Sequence, residues 1–194
     1  MRVLFVSFAV LIIDQVSKIF IKGFSFPILK VQHQGMYEGQ RIPVLGNLFN
    51  LTFIENSGIA FGINFGIEFK FFLSLFTILA VIVLIIYLIK IKEKPLSWRL
   101  SVALILGGAA GNLIDRVFYG VFYGYSNLFY GRVVDFLDIR IFNLLLFNKT
   151  LGNYVFNFAD AAVTAGVILL LIAYNKKEST SGLENYFADN KDVN

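Results

Sequence analysis

Apolar residues run almost unbroken through four stretches of this chain, each at a length that suits a bilayer crossing. Residues 71–89 contain no charge and are flanked by Lys70 and Lys90. Residues 3–21 are apolar apart from Asp14 and Lys18. Residues 100–114 are fewer and rich in small side chains (Gly107-Gly108-Ala109-Ala110-Gly111), then run into Asp115-Arg116. Residues 158–174 begin beside Asp160 and stop before Lys176-Lys177. A membrane helix needs roughly twenty mostly apolar residues, so the pattern predicts four transmembrane helices. The small residues of the third would let its backbone approach a neighbour closely.

The polar intervals carry a second pattern. Residues 44–62 mix aromatic and β-branched side chains with glycine and asparagine, which predicts short strands, tight turns and a small sheet on the membrane surface. Three copies of Phe-Tyr-Gly start at Phe118, Phe122 and Phe129. Aromatic density of this kind favours the headgroup zone and predicts a local wedge there. The tail over 178–194 is polar and aperiodic, which predicts disorder. Met1-Arg2 before an apolar run imitates a signal peptide. Asp14 and Lys18 interrupt that run and no small-residue cleavage site follows, so it reads as a retained first span. The expected fold is mainly α: one four-helix membrane domain over residues 1–175. Its outer β-rich segment is expected at 22–68 and an outer insertion, helical and aromatic, at 116–153. A cytoplasmic tail follows over 176–194.

Composition agrees with a membrane protein. Hydrophobic residues make up 57% of the 194 and charged ones 15%, against about a quarter charged in soluble domains. The net charge of +4 lies beside the spans, which points to topology and away from nucleic acid. Lys90, Lys92, Lys94 and Arg99 face one acid, Glu93, between the second and third spans, and the tail begins Lys176-Lys177. Positive charge stays inside, so both termini are expected in the cytoplasm. Asp14, Lys18, Asp115, Arg116, Asp135 and Asp160 then gather near the outer face. With no cysteine and one histidine, disulfides and thiol chemistry are excluded. A zinc site or a Ser-His-Asp triad has only His33 to build on, so no metal and no cofactor is expected.

Asp135 and Asp160 are the candidate chemistry. Ionisable groups at a membrane boundary are costly unless paired, hydrated or used. Two brought together would repel as anions, share one proton and could activate water. Taken singly, Asp135 could equally be a strand carboxylate bonded to amides, and Asp160 an acid facing a helix dipole.

Five stretches, in order, resemble the bacterial lipoprotein signal peptidases (signal peptidase II), which are intramembrane aspartic proteases. They are Asp14-Gln15-Val16-Ser17-Lys18, Asn56-Ser57-Gly58-Ile59-Ala60-Phe61-Gly62, Gly111-Asn112-Leu113-Ile114-Asp115-Arg116, Val133-Val134-Asp135-Phe136 and Phe156-Asn157-Phe158-Ala159-Asp160. The resemblance implies four transmembrane helices with a small β cradle and a catalytic dyad at Asp135 and Asp160. It also implies cleavage of prolipoproteins before a diacylglyceryl-modified cysteine. Two stretches depart from the family pattern by being longer, the Phe-Tyr-Gly-rich one and residues 143–153.

Asn157 lies three residues before Asp160, on the same helix face, and could serve the site or merely cap a helix. Asn112 and Arg116 share a face, Arg116 either orienting a carboxylate or substrate backbone or snorkelling to headgroups. Asp115 reads as a hydrated end-of-helix charge. Asn56 and Gly58 could hold extended substrate or close a hairpin, and Ala159 completes the supporting set. Asp14 and Lys18, at i and i+4, read as a buried self-neutralising pair with possible lipid contact. The expected partners are prolipoprotein substrates and membrane lipids, acting on a monomer. The rivals are a small proton-coupled transporter or channel, and a non-enzymatic assembly factor.

Overall fold

The computed structural model describes residues 2–46, 48–58, 66–146 and 149–189. Among them, four helices are long and apolar enough to cross a membrane. α1 (Leu4–Lys22) and α2 (Gly66–Lys90) are the first two. The third begins as α3 (Leu96–Ile114), widens into one π turn at Asp115–Tyr119 and ends in a last turn, α4 (Gly120–Phe122). The chain returns through the membrane as α5 (Phe158–Asp189).

Two boundaries differ from the sequence reading. The third span does not stop at 114, because Asp115 is neutralised inside the bundle by Lys18 and Val117 and Tyr119 behind it are buried. The expected aperiodic tail is helical through Asp189. A nucleated helix gains one bond for each residue it adds, so polar sequence extends it cheaply. Residues 190–194 lie outside the described residues.

α3 is the centre of the bundle: 56% of its apolar window is buried, against 11–22% for the other spans. Its small residues permit this. A Cβ on Gly111 would sit 2.5 Å from Asp14 Oδ2, and one on Gly108 would run into the Ala159 carbonyl. α1 and α5 therefore approach α3 closely enough for polar groups at one end of the bundle to meet.

At that end a four-stranded antiparallel sheet caps the bundle, in the order β3 (Arg41–Leu45), β4 (Phe49–Asn56), β5 (Val133–Leu146), β6 (Lys149–Phe156). Ahead of it, β1 (Phe24–Phe26) and β2 (Val31–His33) form a separate hairpin. The sheet thus draws on both outer segments, and the 116–153 insertion supplies two of its strands. Of the extension over 143–153, residues 143–146 belong to β5 and 149–153 to β6. Between Leu51↔Leu137 and Ile54↔Asp135 the register slips by one residue on β4. Such a bulge re-aims the side chains beyond it, here Asp135 and Asn56.

The Phe-Tyr-Gly segment is only half a wedge. Phe118 and Phe122 are exposed, but Tyr119 is buried with Phe53, Val134 and Phe136 beneath the sheet. Tyr123 and Tyr125 turn toward Lys22, whose ammonium lies 4.3 and 4.8 Å from their ring centres and pairs with Glu55. A phenol can use its ring for packing and its hydroxyl for a hydrogen bond. Tyr119 and Tyr123 therefore go inward where Phe118 and Phe122 do not.

Candidate active site

The β5–β6 hairpin and the start of α5 set the geometry. β6 ends at Phe156, paired with Leu137, so the next residue, Asn157, lies beside Asp135 on β5. Asn157 is also the cap of α5. Its Oδ1 accepts from Asp160 N at 2.9 Å, and Asp160 Oδ2 accepts from Asn157 N at 3.4 Å. This reciprocal arrangement satisfies donors that a helix start leaves free. The same amide donates through Nδ2 to Asp135 Oδ1 at 2.7 Å. Both uses open to Asn157 in the sequence are realised at once, and one fully buried amide joins the two aspartates.

Each carboxylate has a second amide partner. Asn112 Nδ2 donates to Asp160 Oδ1 at 2.7 Å, and Asn56 Nδ2 donates to Asp135 Oδ2 at 3.1 Å. Asn56 in turn accepts from Gly58 N at 2.9 Å, where the glycine has φ +84°. Residues 59–62 of that motif lie outside the described residues. Asp135 is 4% exposed. Burial, and then the charge of Asp160, push its carboxyl up to about 7, against the lowering effect of Asn56 and Asn157. Arg116 Nη1 donates to Asn112 O at 3.2 Å, and its charge acts on both aspartates. Ala159 is fully buried, and its N–H donates to Asp14 Oδ1 at 2.9 Å.

Behind the pair lies a dry polar cluster that sequence reasoning found only in part. Asp14, Lys18 and Asp115 are all 0% exposed, and Lys18 Nζ lies 2.8 Å from Asp14 Oδ2 and 2.8 Å from Asp115 Oδ2. Its third proton goes to Asn112 Oδ1 at 2.9 Å, so the ammonium's three donors are fully used. That bond also fixes which end of the Asn112 amide meets Asp160. Asp115, expected as a hydrated surface charge, is thus internal. The π turn begins at this residue, and Asp115 Oδ2 also accepts from Val134 N at 3.2 Å.

Gln15 and Tyr119 were missed. Gln15 Nε2 donates to Asp115 Oδ1 at 2.8 Å and to Gly111 O at 3.1 Å, and its Oε1 accepts from Tyr119 OH. A glutamine beside an aspartate inside an apolar span was the available signal. His33 lies apart from the pair, its Nε2 at 2.9 Å from Phe20 O. Among the described residues no group of three or more metal-ligating side chains occurs.

Two carboxylates joined by amides at one end of a bundle of membrane-length helices, one with its carboxyl pushed up by burial, have the form of an aspartic hydrolase site. The model of the signal peptidase II family matches residues 6–176. The lipoprotein signal peptidase of Moorella thermoacetica is 38% identical over 170 residues, covering 88% of this chain and 90% of that protein. That of Desulfitobacterium hafniense is 38% identical over 146 residues, 75% of this chain and 82% of the relative. A bacterial membrane enzyme solved by the in meso method at 1.9 Å superposes with TM-score 0.63. It is 31% identical, over 89% of this chain and 92% of that one. A second such structure, at 2.3 Å, gives TM-score 0.62 at 29% identity, over 92% and 90%. The chain belongs to the signal peptidase II family. It is an aspartic peptidase and a multi-pass protein of the bacterial inner membrane, which sets aside the transporter and the assembly factor.

Proposed function

We propose that this protein removes signal peptides from prolipoproteins, cutting before a diacylglyceryl-modified cysteine, with Asp135 and Asp160 as the catalytic pair. The observation that carries this is the single buried amide of Asn157 bonded to both aspartates, one at its side chain and one at its backbone. The shared proton rests on Asp135, whose carboxyl stays protonated toward pH 7. Asp160, held by Asn112 Nδ2, is the general base that takes a proton from water. The water attacks the scissile carbonyl, and Asp135 protonates its oxygen. Collapse of the tetrahedral intermediate returns a proton to the departing amine and re-forms the amide-held pair.

Asn56 and Gly58 hold the substrate backbone extended at the end of β4, and Arg116 orients it with its planar guanidinium. Ala159 and the Asp14–Lys18 cluster keep α1, α3 and α5 in register beneath. The chain acts as a monomer, with both termini in the cytoplasm and the pair at the outer face, following the basic residues between α2 and α3. Purified protein in detergent is expected to cleave a synthetic peptide bearing a diacylglyceryl cysteine. Asp135→Asn and Asp160→Asn are each expected to fold and to leave that peptide intact; full cleavage by either variant refutes the pair.

A further inference from the structure

The hairpin at residues 24–33 is held hard against the end of α1. Only Gly23 separates Lys22 from β1, at φ +84°, and a Cβ there would lie 2.6 Å from His33 O and 2.5 Å from Gln34 O. Met36 N donates to Ile21 O at 2.7 Å. His33 bonds to Phe20 O, and its ring centre lies 5.5 Å from that of Phe20 and 5.8 Å from that of Phe24. The hairpin is therefore fixed in direction.

That direction is sideways along the bundle. A recess of about 1080 Å³ is lined by Phe24, Phe26 and His33 of the hairpin together with Gln15, Ile19 and Ile114 of the spans. Gln15 lies seven residues before Lys22, about 10 Å down the axis at 1.5 Å per residue. With His33 bonded to Phe20 O and packed against the Phe20 ring, two residues before the end of α1, the hairpin lies beside the last turn of α1 and walls the same recess.

The remaining surface of the hairpin is apolar and open. Ile28 is 96% exposed, Leu29 71% and Phe26 52%. Lys30, at φ +52° in the tight turn, is the one charged residue in the hairpin. The patch continues the lipid-facing surface of the spans through Phe20 and Phe122, both exposed. Apolar surface joined to a transmembrane belt, with one cation and no acid, matches the boundary between acyl chains and phosphate headgroups.

We propose that the hairpin is an interfacial wedge, with Ile28 and Leu29 sunk among the acyl chains of the leaflet at the Lys22 end of α1 and Lys30 reaching the phosphates. The occupant of the patch is the phospholipid bilayer. The proposal depends on neither the peptidase chemistry nor which side of the membrane faces out. Because the chain has no cysteine, Ile28→Cys offers a single attachment point for a nitroxide, and so near-complete exposure costs little packing. The full chain would be labelled, reconstituted in phosphatidylglycerol–phosphatidylethanolamine vesicles and probed for collisions with oxygen and with a nickel chelate. Lys92→Cys in the α2–α3 turn gives the aqueous reference and Ile82→Cys the lipid reference. The expected ratio of oxygen to nickel collisions at position 28 lies several-fold above that at 92 and approaches that at 82. A ratio equal to that at 92, in a labelled protein that melts like its parent, overturns the wedge and leaves the patch to a protein partner.

Discussion

Asp135→Asn is expected to remove activity and yet to make the protein more stable above neutral pH. In the unfolded chain Asp135 ionises near its ordinary 3.8, whereas in the folded protein burial and the charge of Asp160 raise it to about 7. Between those values the folded state binds more protons than the unfolded one, so stability falls as pH rises through the window and levels off above it. The gap, at 1.36 kcal/mol per pH unit, is worth up to about 4 kcal/mol. Asparagine never ionises and avoids that loss. It still accepts from Asn157 Nδ2, but its own NH₂ meets Asn56 Nδ2, at a cost of about 1 kcal/mol. The net gain at pH 8 is therefore about 2–3 kcal/mol, falling toward zero near pH 4. Unfolding in detergent, followed for both proteins from pH 4 to pH 9 on this order of spacing, measures it directly. A native protein equally stable at both ends of the series, or a variant no more stable than the native one at pH 8, refutes the assignment of the raised group.

Three further outcomes follow from the packing. Asn157→Ala removes the cap of α5 and the bridge to Asp135; it is expected to cost about 1 kcal/mol of stability but at least about tenfold in kcat, seen by comparing melting with turnover. Lys18→Met strands Asp14 and Asp115 without their cation and is expected to cost about 3–5 kcal/mol. Adding Asp115→Asn should restore part of it, and purely additive losses in this double-mutant cycle would deny the coupling. Gly108→Leu drives a side chain into the Ala159 carbonyl and is expected to lower stability by about 1–3 kcal/mol; an unchanged melting curve would mean that α3 and α5 are less closely packed than described.

The spans were legible because a bilayer imposes length and apolarity on each helix separately, and the Asp14–Lys18 pair because i,i+4 spacing is local. What could not be read was which helix faces which. Asp115 shows this: its sequence neighbourhood is that of a helix end, but a π turn and the close approach of α1 through Gly111 place it against Lys18. Gln15 and Tyr119 are partners across more than one hundred residues, a relation that no periodicity records. The aspartate pair itself was visible as two costly charges, but their joining through Asn157 depends on the β5–β6 register. Motif order, carried by resemblance, stood in for that register at the sequence level.

The cap of α5 has a consequence for biogenesis. Asn157 caps the fourth span and Asp160 lies in its first turn, so both leave the ribosome after Asp135 and after the third span that carries Asn112. The two acids can be bridged only once α5 has begun and docked on α3. With three spans inserted, Asp135 has no bridge to Asp160, so on the proposed chemistry hydrolysis waits for the docking of the fourth span.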